Sequence, residues 1–178
     1  LMVGFNKQSM SNKYRGMTIA EASGLRGETP EEAIVNLIIE DGSRIQCIYF
    51  SMSEDNVRKK IMLPWVSFDS DAGSYSDISK DFITHPRAFG SFARVLGKYV
   101  REEKLITMEE AIRRLTGFPA NNLGIKNRGY LKTGYVADVV VFDPELIEDK
   151  ATFEKPLQFA VGVEDVFVNG VQVLSEGN

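Results

Sequence analysis

Hydrophobic and polar residues alternate in blocks that predict helices and strands in turn. Thr29-Pro30-Glu31-Glu32 is a capping box with Pro at the first helical position. Ala33, Ile34, Leu37 and Ile38 then recur at helical spacing until Asp41-Gly42 stops them. Ile45 to Phe50 is rich in β-branched and aromatic residues and reads as a buried strand. Ser53-Glu54-Asp55 caps a short helix running to about Lys60. Pro64 breaks it, and Trp65 to Phe68 reads as a second strand ending in Asp69-Ser70-Asp71. Past a polar loop, Phe89, Phe92, Val95, Leu96, Tyr99 and Val100 mark the core face of a long helix. Thr107-Met108-Glu109-Glu110 is a second capping box, whose helix carries Ala111, Ile112 and Leu115 and ends near Gly117 and Pro119. Helix and strand in this order are what consecutive β/α units produce.

Beyond residue 118 the texture changes. Glycines punctuate short β-prone runs, notably Asp138 to Phe142 and Val163 to Val168. The pattern therefore predicts a barrel-like part over 1–117 and a small β part over 118–178. Gly73 to Thr84, with Ser74, Ser76, Asp77, Ser79, Lys80 and Asp81, is polar and long for an unstructured loop, which favours a lid over a plain exposed loop.

A length of 178 residues, with 43% apolar and 26% charged, suits a soluble globular chain of one domain or slightly more. The net charge of −4 is set against no basic cluster, so nucleic acid is not an expected partner. Lys59-Lys60 and Arg113-Arg114 read as solvated helix faces. No apolar run approaches a membrane span and no leader is visible. The single cysteine, Cys47, rules out an internal disulfide and points to the cytoplasm; its apolar neighbours Ile45, Ile48 and Phe50 predict a buried structural thiol.

The densest chemistry lies between Asp71 and Arg94: a carboxylate at a strand end, then His85-Pro86-Arg87 at the start of a helix. An α/β enzyme delivers its chemistry from such loops. A zinc centre needs three or four His, Cys or carboxylate ligands, whereas this chain has one His and one Cys. The chain therefore reads as the C-terminal part of something longer, consistent with its beginning on Leu1. His85, followed by Pro and distant from any second ligand, reads as a loop-orienting residue and not as a metal ligand.

Taken together, these stretches resemble the C-terminal portion of the D-aminoacylases, the N-acyl-D-amino-acid deacylases of the metal-dependent amidohydrolase superfamily. The matching residues are 48–54, Ser70-Asp71, 85–97, 109–116, Arg128-Gly129, 137–144 and Val168-Asn169-Gly170. Ala137-Asp138 followed by an apolar strand and Asp143-Pro144 places the superfamily; the His85-Pro86-Arg87 helix run is narrower.

The resemblance implies an α/β fold: the last β/α units of a (β/α)8 barrel, joined to the C-terminal strands of a small β-domain. It implies zinc in the complete enzyme, none bound by this chain alone, and metal ligands in the upstream part of the barrel. Asp71 matches the aspartate that takes a proton from metal-bound water and passes it to the leaving nitrogen. Arg87 matches the arginine that binds the substrate α-carboxylate. Tyr49 and Met52 match positions lining the substrate pocket. The plain alternatives are a turn cap for Asp71, a surface ion pair for Arg87 and core packing for Tyr49 and Met52. Ala72, where some members carry Gly, and the long loop to His85 leave side-chain preference open.

The function implied is hydrolysis of an N-acyl-D-amino acid, with the isolated chain inactive and the missing N-terminal part of the barrel as its partner. Two alternatives remain: a cyclic amide or dipeptide hydrolase on the same scaffold, and a non-catalytic module that associates with itself or another chain through an open barrel edge.

Overall fold

A computed structural model describes residues 1–73 and 84–177. The segment read as a lid lies, apart from Gly73 and Thr84, outside the described residues. The described residues fall into two compact units, one of residues 1–51 with 84–85, the other of residues 52–73 with 86–177.

In the first unit, strand β1 (Met2–Gly4) pairs antiparallel with β2 (Gln46–Cys47), and helices α1 (Gln8–Tyr14), α2 (Ile19–Arg26) and α3 (Pro30–Asp41) pack beside them. The capping box predicted at Thr29 is formed: its hydroxyl accepts from the Glu32 amide, and Glu32 accepts from the Thr29 amide. Gly42 ends α3 in the left-handed region at φ 73°. An identical box at Thr18 and Glu21 starts α2, an element the hydrophobic pattern did not reveal. Met2, Tyr14, Ala22 and Leu37 form this unit's core.

Asp41, the last residue of α3, is fully buried. Its carboxylate accepts from the Asn6 and Lys7 amides, each at 2.9 Å, and from the Ser43 hydroxyl at 2.7 Å. Burial pushes the carboxyl up, but the Lys7 and Asn6 amides and the Ser43 hydroxyl outweigh it and hold Asp41 below the usual carboxylate range.

The second unit holds α4 (Glu54–Ile61), α5 (Arg87–Arg94), which continues as a π-helix over Val95–Glu102, then α6 (Met108–Leu115), α7 (Gly117–Asn122) and the antiparallel sheet β3 (Val139–Phe142), β4 (Val163–Val168), β5 (Val171–Leu174). Its core is Ala93, Val95, Leu96, Val100, Ala111 and Ile147, with Phe68, Phe142 and Val163 packed on it. The long aromatic-striped helix is thus observed, with a π register in its second half, but Phe92 lies 49% exposed and off its core face. The helix from Thr107 breaks at Thr116 and resumes as α7.

Four readings need correction. The Ile45–Phe50 strand shrinks to Gln46–Cys47, and the run read as the Trp65–Phe68 strand begins in a turn at Trp65 and forms no ladder among the described residues. Buried strands require hydrogen-bonding neighbours on both sides, and the described residues offer Ile45–Phe50 only β1 and Trp65–Phe68 none. Cys47 is consequently exposed, not buried. Arg114 is the reverse case: fully buried, not on a solvated face.

Candidate active site

Asp71 follows the irregular run 65–70 and adopts φ 47°, a left-handed conformation that Asp tolerates better than most residues. Arg87 opens α5, whose N-cap is Pro86 and whose first turn has no acidic residue. A guanidinium at a helix N-terminus faces the positive end of the helix dipole, so a counter-anion is favoured there. Asp71 supplies it: its Oδ2 lies 2.9 Å from Arg87 Nη2. The two side chains are 82% and 45% exposed, so this pair contributes at most about 1 kcal/mol and can exchange Asp71 for another carboxylate.

The structure therefore brings together Asp71 and Arg87. Met52 sits 63% exposed just before Ser53, whose hydroxyl caps α4, so core packing is not its role among the described residues. Tyr49 belongs to the first unit, where it is 81% exposed and lines a cavity of about 450 Å³ with Ile34, Ile38, Arg44, Cys47 and Phe50. His85 is half-buried. In the second unit, a cleft of about 260 Å³ is lined by Ser70, Arg87, Phe89, Phe92, Leu96 and Phe142.

Arg114 supports the segment that ends in Asp71. Its Nη1 donates to the Ile61 carbonyl at 2.6 Å, its Nε donates to the Val66 carbonyl at 2.5 Å, and its guanidinium lies 4.5 Å from the Phe68 ring centre. One arginine thus ties the end of α4 to the run leading into Asp71. The sequence carried a signal: Arg114 is three residues after buried Ala111, on the same helical stripe.

A second charged network braces α5. Glu54 accepts from Lys98 and, at 2.8 Å, from the Tyr99 hydroxyl. The Lys98 ammonium holds the Glu54 carboxyl below its usual range, burial opposing. Arg58 grips Glu103 through two bonds, at 2.7 and 3.0 Å.

No cluster of three or more His, Cys, Asp or Glu side chains able to hold a metal ion exists among the described residues. These residues therefore do not fit a zinc site on their own. No described helix is long and apolar enough to cross a membrane.

Residues 66–174 match the amidohydrolase family model. The chain belongs to that family. Among its relatives, it is 42% identical over 129 residues to the N-acyl-D-glutamate deacylase of Alcaligenes xylosoxydans xylosoxydans, covering 72% of this chain and 25% of the relative. It is 36% identical over 161 residues to the D-aminoacylase of the same organism, covering 90% of this chain and 31% of the relative. A crystal structure of N-acyl-D-glutamate deacylase from Bordetella bronchiseptica, complexed with zinc and a phosphonate mimic of the tetrahedral intermediate, superposes with TM-score 0.82 at 36% identity, covering 96% of this chain and 34% of that one. A D-aminoacylase crystal structure superposes with TM-score 0.84 at 31% identity over the whole of this chain and 35% of the other. The mixed helix and strand fold is thus that of the D-aminoacylases, and the chain spans about a third or less of the length of these relatives.

Proposed function

We propose that this chain is the C-terminal part of a zinc-dependent amide hydrolase that releases a D-amino acid from an N-acyl-D-amino acid. In this reading residues 1–117 supply the last β/α units of a (β/α)8 barrel, and 118–178 supply a linker and the C-terminal strands of a small β-domain. The observation that carries it is the 2.9 Å approach of Asp71 and Arg87, within a chain this similar to N-acyl-D-amino-acid deacylases.

The planar guanidinium of Arg87 makes a bidentate pair with the substrate α-carboxylate and so orients the scissile amide. The substrate carboxylate replaces Asp71 on Arg87 and leaves the Asp71 carboxylate free. Asp71 then takes a proton from the attacking water and delivers it to the departing nitrogen. Tyr49 and Met52 line the pocket for the rest of the substrate. Zinc would be held by ligands elsewhere in the complete enzyme and would there supply Lewis-acid polarisation of the amide carbonyl. The isolated chain is inactive, and its exposed Ile34, Ile38 and Phe50 belong under the remainder of the barrel.

The test is kinetic. In the complete zinc-loaded enzyme, Arg87→Lys is expected to raise KM for an N-acyl-D-amino acid by 10-fold or more, and Asp71→Asn to lower kcat by 100-fold or more. Unchanged catalytic efficiency in Arg87→Lys would remove the carboxylate clamp and favour a cyclic amide substrate. Size-exclusion chromatography tests the module reading: a clean monomer of the isolated chain counts against it and against a barrel cut midway.

A further inference from the structure

The helix that carries Arg87 is seated on one segment of the β part by a single stripe of residues. Arg87, Gly90 and Arg94 are spaced three and four apart on α5 and share a face, and Gly97 and Arg101 in its π-helical continuation meet the same segment. A Cβ at Gly90 would lie 2.9 Å from Asp149 Cβ, and one at Gly97 only 2.5 Å from the Ile147 carbonyl oxygen. Between these close approaches, Arg94 Nη1 reaches Asp149 Oδ2 at 3.1 Å. Arg101 Nη1 donates to the Ile147 carbonyl at 2.6 Å and to the Pro144 carbonyl at 3.2 Å.

The segment under this stripe is itself fixed. Ile147 is 2% exposed. Its far side is closed by Gly162, at φ 80°, where a Cβ would lie 2.5 Å from Ile147 N. Glu148 exchanges both backbone hydrogen bonds with Val161, and the Asp143 amide donates to the Gly162 carbonyl. A segment gripped from both sides, and tied to the strand-leading residues 161–162, gives the helix no room to slide or turn.

We infer that Gly97, with Arg101, is a positioning residue for the Arg87 guanidinium: the stripe sets the height and rotation of α5 on residues 144–149 and thereby holds Arg87 against Asp71. This rests on the carboxylate-clamp reading of Arg87. A Cβ at position 97 must retreat from 2.5 Å to an ordinary carbon–oxygen contact of roughly 3.3 Å. The helix shifts by on the order of 0.8 Å, enough to cost a substrate-binding group 10- to 100-fold.

The experiment compares an N-acyl-D-amino acid with its carboxamide in the complete zinc-loaded enzyme, for the parent, Gly97→Ala and Arg87→Lys. Gly97→Ala is expected to raise KM for the acid by about 10- to 100-fold and to change KM for the carboxamide by less than about 3-fold. A folded Gly97→Ala enzyme that keeps its preference for the acid, or loses both substrates equally, while Arg87→Lys abolishes the preference, overturns the inference and leaves the clamp standing. If Arg87→Lys keeps the preference, the clamp falls and the inference with it. Should Gly97→Ala not fold, Arg101→Met removes the grip on Ile147 without adding an atom against it. The same acid-selective rise in KM is then expected, and an unchanged preference overturns the inference.

Discussion

Arg113 and Arg114 are neighbours in sequence and should differ sharply in what they contribute to stability. Arg114 is fully buried; it satisfies the carbonyls of Ile61 and Val66 and covers the Phe68 ring. Arg114→Met keeps an unbranched apolar stem in the same space but leaves both carbonyls without a donor. Each unsatisfied buried carbonyl costs about 1 to 3 kcal/mol, and the lost stacking adds about 1 kcal/mol. Against this stands the relief of Arg114 Nη2, a buried nitrogen without a hydrogen-bond partner among the described residues, worth about 1 to 2 kcal/mol. The balance is a destabilisation of about 1 to 6 kcal/mol, or a Tm lower by roughly 2 to 20 °C for a chain of this size. Arg113 lies 43% exposed on Glu110, so Arg113→Ala should cost under about 1 kcal/mol. Urea unfolding of both variants followed by circular dichroism measures the two costs. An Arg114→Met protein within about 0.5 kcal/mol of the parent would refute the argument, because the two carbonyl bonds would then be replaceable by water.

The remaining predictions concern the first unit. Asp41 has a folded-state pKa below its unfolded value, so its contribution to stability is complete above the unfolded value near 4 and is lost as pH falls through the folded one. Asp41→Asn should lower Tm at pH 7 and flatten the acid limb of the stability profile; an unchanged acid limb would show that the carboxylate is not the group responsible. Cys47 is exposed, so a maleimide should label the folded isolated chain under native conditions, and protection until denaturation would contradict its placement.

How much of this was legible in the sequence depended on whether the signal was local. α3 was read correctly because Thr29, Pro30, Glu32 and Gly42 each act within one turn of the helix end they define. α2 carries the same local box at Thr18 and Glu21 and was there to be read, though its apolar stripe is weak. The runs 45–50 and 65–68 look like strands because their residue types suit an extended, buried backbone, but a ladder needs partners that no local pattern specifies. Asp71 and Arg87 were identifiable by type and by resemblance, whereas their 2.9 Å approach joins positions separated by the whole polar loop. Arg114 was misread because charge argued for solvent more loudly than its position three residues after Ala111 argued for the core. The π register of Val95–Glu102 has no marker in the sequence.

Asp41 also bears on how two helices of the first unit depend on each other. α1 has seven residues and no side-chain cap of its own at Lys7, and a helix so short does not persist alone in water. The anion at its amino end comes from the last residue of α3, through the Asn6 and Lys7 amides. A carboxylate at the end of α3 opposes that helix's own dipole and is compensated by the Asn6 and Lys7 amides at the start of α1 and by the Ser43 hydroxyl. The two helices are therefore coupled: the amino end of α1 takes its anion from the carboxyl end of α3, so what loosens one end loosens the other. The amino-terminal helix thus depends, for the anion at its start, on a residue more than thirty positions away in the chain.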